Sequence, residues 1–274
     1  MHKAEIDTPA LLVDVDALES NIRTMGEELA GICNLRPHIK VHKTPAIAHK
    51  QISAGCIGVT CAKVGEAEVM AAAGVRSILI ANQITGPTKV DRLAGLARHA
   101  DVMVAIDSAE NAEEISRAAA AYGSTVGMII EVDVGFKRAG VQPGARVTSL
   151  ARSISRLANV RLAGIMGYEG HLQGIPALDE RRRLVEKSLS QLVESAGLLR
   201  KEGYGCEIIS TGGTNTYKIA SRIECSELYK SKKIRSKATG TTTINRFDAV
   251  CRCSNWPPSK AWKRSSRPCR RTWR

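Results

Sequence analysis

Residues 35–43 read Leu-Arg-Pro-His-Ile-Lys-Val-His-Lys and crowd two imidazoles and two ammonium groups into one short stretch. The run starts as an apolar strand and breaks at Thr44-Pro45, a hydroxyl cap with proline at the first helical position. A side chain at such a strand end points into whatever cavity lies above the sheet. An amine crowded by other cations, or desolvated in a cleft, loses part of its pKa and attacks a carbonyl as the free base, which is what a Schiff-base lysine needs. The competing reading is a solvated basic surface at a strand-to-helix loop. His38 and His42 flank Lys40 at the same strand parity, so a regular strand points all three to one side. Histidines so spaced can share a metal ion, but no carboxylate or cysteine joins them locally, and spacing assigns no metal there.

Three further stretches carry chemistry. Ser210-Thr211-Gly212-Gly213-Thr214-Asn215-Thr216-Tyr217 follows an apolar run. Adjacent glycines with hydroxyl donors beside them make a nest for a phosphate dianion, helped by the positive end of a following helix, or else a plain glycine turn. In residues 131–141, Gly135 and Gly140 frame a loop that can present Arg138 inward as a permanently charged donor. Tyr168 and His171, on a glycine-flanked loop, are a ring contact and a general acid/base, or a hydrogen-bonded loop pair. Asn82 and Gln83 are weaker candidates, because amides at a strand end usually satisfy local backbone groups.

The elements that must position these groups alternate from Thr8 to Arg222: short apolar runs and amphipathic helices, the βα pattern of a parallel sheet. Leu11–Val15 reads as a first strand before a helix over 16–30. Counting from Leu35, seven strands follow, at 35–41, 57–61, 77–81, 102–106, 126–132, 162–166 and 207–210, each but the last leading into a helix. Seven units with the eighth strand incomplete predict an α/β fold of (β/α)8 barrel type, in which reactive groups stand at the C-terminal strand ends. The polar residues cluster there. A doubly wound open sheet is the alternative, since periodicity does not show closure.

The composition narrows the partners. The net charge of +13 sits mostly in residues 223–274, which hold 14 of the 40 Lys/Arg and 3 of the 27 Asp/Glu. Residues 1–222 keep 26 against 24, close to neutral, so nucleic acid is not the expected partner of the main body. No apolar run is long enough for a membrane span, and the N-terminal residues lack a secretory h-region, so a cytoplasmic protein is expected. Of the eight cysteines, Cys33, Cys56, Cys61 and Cys206 are scattered singly through apolar segments, as buried free thiols are. Cys225, Cys251, Cys253 and Cys269 fall in the basic tail, where the βα rhythm fails; a basic arm, a Cys-x-Cys module and a shifted or truncated reading frame all compete to explain it.

Three stretches together resemble one family: Asp7-Thr8-Pro9-Ala10-Leu11-Leu12-Val13-Asp14, Arg36-Pro37-His38-Ile39-Lys40-Val41-His42-Lys43 and Thr211-Gly212-Gly213-Thr214. They are similar to the D-threonine aldolase and D-serine dehydratase group of fold-type III pyridoxal phosphate (PLP) enzymes, whose barrel is shared with alanine racemase. The resemblance covers about residues 5–222. It implies that Lys40, the lysine between the two histidines, holds the cofactor, with His38 beside it. It further implies Arg138 near the phenolate oxygen, and Gly212, Gly213, Thr214 and Tyr217 at the phosphate. His171 and Tyr168 are the expected acid/base and ring residues. The implied reaction is aldol cleavage of a small β-hydroxy-D-amino acid such as D-threonine, with racemisation, D-serine dehydration or non-catalytic PLP binding as alternatives. A homodimer is implied as well. The first strand is expected to pair with a C-terminal β-domain, of which 223–274 is an aberrant remnant. A divalent metal, Mn or Zn, is held in that family by residues of that domain, and its ligands are not recognisable in this chain.

Overall fold

The computed structural model describes residues 5–223 and the strand 246–249. The rest of the tail, with Cys225, Cys251, Cys253 and Cys269, lies outside the described residues, as does any C-terminal β-domain remnant. Eight parallel strands alternate with helices: α1 (Val15–Leu29), β1 (Asn34–Leu35), α2 (Pro45–Ser53), β2 (Val59–Cys61), α3 (Val64–Ala72), β3 (Ser77–Ile80), α4 (Pro87–Leu96) and β4 (Asp101–Ile106). Then follow α5 (Ala109–Tyr122), β5 (Val126–Glu131), α6 (Ala145–Ile154), β6 (Val160–Met166), a 3-10 turn (Gly170–Leu172), α7 (Leu178–Lys201), β7 (Ile208–Thr211), α8 (Tyr217–Ala220) and β8 (Arg246–Ala249).

The sheet order is β1-β8-β7-β6-β5-β4-β3-β2, all pairs parallel. A bridge between His38 and Thr60 joins the β1 segment back to β2, so the two ends of that order meet. Sequence neighbours are sheet neighbours from β2 to β8, without the switch point of a doubly wound sheet. The eighth strand, left incomplete by the sequence reading, is present as four residues, Arg246–Ala249, beyond the boundary drawn at residue 222.

Strand parity divides the core in two. Leu79, Met103, Ala105, Ile129, Ala163 and Met166 pack against one another as one cluster, while their strand neighbours Ile78, Ile80, Val102, Val104, Ile106, Met128 and Ile130 belong to the larger cluster shared with the helices. Alternation along each strand sends one set into the barrel and the other under the helical ring. Burial on both faces is why β5 is buried at all six positions and reads as a continuous apolar run. The helix starts are encoded locally. Asp14 accepts from Ala17 N, Ser108 from Asn111 N, and α5 ends at Gly123 in the left-handed region, φ 59°.

Two sequence expectations change. Leu11–Val15 is not a strand: residues 11–14 are irregular, α1 begins at Val15, and Leu11 is fully exposed. A strand needs a hydrogen-bonding neighbour, and no described strand lies beside this one. The strand over 35–41 is also cut short, because the chain turns at Ile39. Cys56, Cys61 and Cys206 are buried and Cys33 is half-buried, none of them in a disulfide among the described residues. Among the described residues no helix is long and apolar enough to cross a membrane.

Candidate functional site

The lysine is presented by a turn at the top of β1. Thr60 N donates to Pro37 O and Ile39 N to Thr60 O, which keeps the chain beside β2 through Ile39. Lys43 N then donates to Ile39 O at 2.8 Å, closing a helical turn over 39–43, and Lys43 takes φ 50°. Because the turn breaks strand parity, the three side chains do not share one side. His38 and Lys40 line a cavity of about 250 Å³. His38 is 6% exposed, and its Nδ1 accepts from Lys40 N at 3.3 Å, which fixes the ring relative to the lysine. His42 is not among the lining residues; its Nδ1 accepts from Thr44 N, and burial pulls its pKa below the usual histidine range against the opposing pull of Gln51. Lys43 forms an ion pair with the buried Glu66, whose other oxygen accepts from Ala62 N at 2.6 Å. That pairing anchors the turn and leaves Lys40 as the lysine of the cavity.

Ser210, Thr211 and Gly212, at the top of β7, line the same cavity. The Ser210 hydroxyl is buried and has no hydrogen-bond partner among the described residues, a polar atom waiting for a ligand. Gly212 has φ 99°, a value that glycine adopts without strain. Gly213 N donates inward to Thr216 Oγ1 at 2.8 Å. Gly213, Thr214 and Tyr217 are not lining residues. Tyr217 instead donates its hydroxyl to Glu28 on α1, which Lys218 also grips. α8 has four residues, too few for the helix-end field expected from the sequence.

Arg138 and Tyr168, from the loops after β5 and β6, complete the wall with Ala62, Ala81, Asn82, Met166 and Gly167. The Arg138 guanidinium lies 5.0 Å from the Phe136 ring centre and 5.3 Å from that of Tyr168. Its NH2 is 3.4 Å from Oε1 of Glu131, a carboxylate 4% exposed whose Oε2 accepts from Gln83 Nε2 at 2.6 Å. The loop that carries Arg138 is held by Asp133, which accepts from Gly135 N and Lys137 N, and by Asp107, which accepts from Gly140 N. His171 is exposed and stacks on Phe136 at 5.8 Å; Phe136 in turn packs edge-on to Tyr168, so the imidazole sits one ring outside the wall.

Of the residues singled out in the sequence, Lys40, His38, Arg138, Tyr168 and Gly212 therefore meet around one cavity. Asn82 joins them while donating to Ala62 O, the backbone role expected of it. Sequence reasoning missed Glu131, Glu169, Gln173 and Glu66. The signal for the first two was a carboxylate ending an all-apolar strand and another inside Gly167-Tyr168-Glu169-Gly170.

Residues 13–228 match the family described as alanine racemase, N-terminal domain. The chain belongs to that family. This alanine racemase-type barrel is 37% identical over 218 residues to a D-threonine aldolase of Arthrobacter sp., covering 78% of this chain and 56% of the relative. It is 36% identical over 220 residues to a 3-hydroxy-D-aspartate aldolase of Paracoccus denitrificans, with 79% and 57% covered. Among solved structures, the D-threonine aldolase from Filomicrobium marinum superposes with a TM-score of 0.79 at 33% identity, over 90% of this chain and 62% of that one. The chain thus spans somewhat over half the length of these relatives. Pyridoxal phosphate is the cofactor expected of such a barrel and its aldolase relatives. The residues present fit it: a lysine on one wall, an arginine on another, and an unpartnered buried hydroxyl beside a glycine turn on a third. Among the described residues no group of three or more His, Cys, Asp or Glu is placed to hold a metal ion.

Proposed function

We propose that this chain binds pyridoxal phosphate through Lys40 and cleaves small β-hydroxy-D-amino acids to glycine and an aldehyde. What carries the reading is one observation: Lys40 and His38 at the end of β1, and Ser210 with Gly212 at the end of β7, line a single cavity. When bound, the cofactor supplies an electron-accepting ring for the pair released as the substrate's Cα–Cβ bond breaks. The chain's own residues do the rest. Lys40 tethers the group, and His38, pinned by Lys40 N, offers its ring as a wall. Arg138, oriented by Glu131, faces the phenolate side. Ser210 Oγ and the Gly212 backbone are the anion end, with Gly213 and Thr214 shaping the turn behind them. Tyr168 Oη, held by Gln173 Nε2 on the cavity wall, is the group able to exchange a proton with the substrate there, with the His171 imidazole one ring behind it, beyond Phe136.

Aldol cleavage is preferred because the two aldolase relatives are 36% and 37% identical, against 31% for a D-threo-3-hydroxyaspartate dehydratase of Delftia sp.. The test is to supply PLP and D-threonine or D-threo-3-hydroxyaspartate, with and without Mn²⁺, and to quantify glycine. Glycine from the D but not the L isomers is expected. Ammonia and a keto acid in place of glycine would mark a dehydratase, scrambled stereochemistry alone a racemase, and no turnover with a bound cofactor a non-catalytic barrel; each contradicts the aldolase reading.

A further inference from the structure

Glu169 is a carboxylate buried to 0% exposure directly behind the anion end of the cavity. We propose that it is the positioning residue of the glycine turn, acting by accepting the hydroxyl hydrogen bonds of Thr211 and Thr216. The inference deepens the proposed cofactor site and rests on that reading. Thr211 Oγ1 donates to Glu169 Oε2 at 2.9 Å, and Thr216 Oγ1 donates to Oε1 at 2.5 Å. A hydroxyl has one proton. The contact from Thr216 Oγ1 to Gly213 O is longer, 3.3 Å, so the proton goes to the carboxylate. Thr216 Oγ1 then has only lone pairs left, and it accepts Gly213 N–H, which holds the turn closed. Thr211 likewise has no proton to give a ligand. The polarity of this strand end is thereby set: the two threonines face the carboxylate, and Ser210 Oγ, buried and without a partner among the described residues, is the hydroxyl left for an anion.

Glutamine at this position keeps the shape but reverses the polarity at one oxygen. Its NH2 would donate to one threonine, free that hydroxyl's proton, and loosen the hold on Gly213 N. The effect must therefore fall on the phosphate rather than on the ring. In the full chain freed of cofactor, Kd is measured for PLP and for pyridoxal, which lacks the phosphate, together with Tm. Glu169→Gln is expected to lose the preference for PLP over pyridoxal by about tenfold or more, the equivalent of one charge-assisted hydrogen bond, with the pyridoxal Kd unchanged. Should Glu169→Gln not fold, Thr216→Val is expected to lose the preference and Thr216→Ser, which keeps the hydroxyl, to retain it. An intact preference in Glu169→Gln, equal weakening of both ligands, or identical behaviour of the two Thr216 variants would overturn the inference. A wild-type chain with no preference for the phosphorylated form overturns both this inference and the cofactor site beneath it.

Discussion

Replacing Gly213 by alanine should disturb the site through one side chain, Gln173. Gly213 does not adopt a positive φ, so the backbone itself tolerates alanine. An added Cβ, however, would stand 1.4 Å from Gln173 Nε2 and 2.6 Å from its Cδ, so the amide must leave. In leaving, it gives up the bond from its Nε2 to Tyr168 Oη at 3.3 Å and the one it accepts from Asn215 N at 3.2 Å. At about 1 kcal/mol each, the loss is about 2 kcal/mol, or a Tm lower by about 4–8 °C for a chain of this size. Gln173→Ala forfeits the same two bonds and should cost about the same. The double variant has nothing left to displace and should again lose about 2 kcal/mol, where independent effects would give about 4 kcal/mol. Denaturant unfolding of the four proteins measures the coupling. Additive losses, or a neutral Gly213→Ala, would refute the interlock between the loops after β6 and β7.

Two more perturbations probe the frame. Gly164→Ala would set a Cβ 1.9 Å from the backbone oxygen of Ile208 at φ 155°, in the β6–β7 ladder, where no flexible side chain can give way. It should cost more than about 4 kcal/mol and leave no folded protein by circular dichroism; a native-like melt would contradict the strand register. At Glu66, burial pushes the carboxyl up, but the Lys43 ammonium and the Ala62 N–H outweigh it and leave the group below its ordinary value of 4.5. A depressed carboxyl stabilises the fold above its unfolded-state pKa, and that share is lost as pH falls through the folded value. Glu66→Gln should therefore be less stable than wild type at neutral pH, with the gap shrinking below pH 4.5; a gap that widens on acidification refutes this.

Much of the scaffold was legible because the βα rhythm is local. Strands buried on both faces announce themselves as apolar runs, and α2 starts at Pro45, where Thr44-Pro45 predicts a helix to begin. What failed was non-local. Leu11–Val15 has strand-like residues but no described partner, and the run 35–41 leaves the sheet after Ile39, the last residue held beside β2 by bonds to Thr60. Tyr217 was placed at the phosphate by the family resemblance, and its hydroxyl is held by Glu28, on the first helix. Glu131 and Glu169 were passed over because a carboxylate in sequence looks solvated. Only the packing shows that one orients Arg138 and the other holds Thr211 and Thr216.

The central claim is that one amine, Lys40, holds the cofactor. The direct measurement is borohydride reduction of the PLP-loaded full chain, followed by proteolysis and mass spectrometry of the modified peptide. The pyridoxyl group is expected on Lys40, and Lys40→Ala is expected to carry none. A reduced adduct on Lys43 or another lysine, or one that persists in Lys40→Ala, would contradict the account.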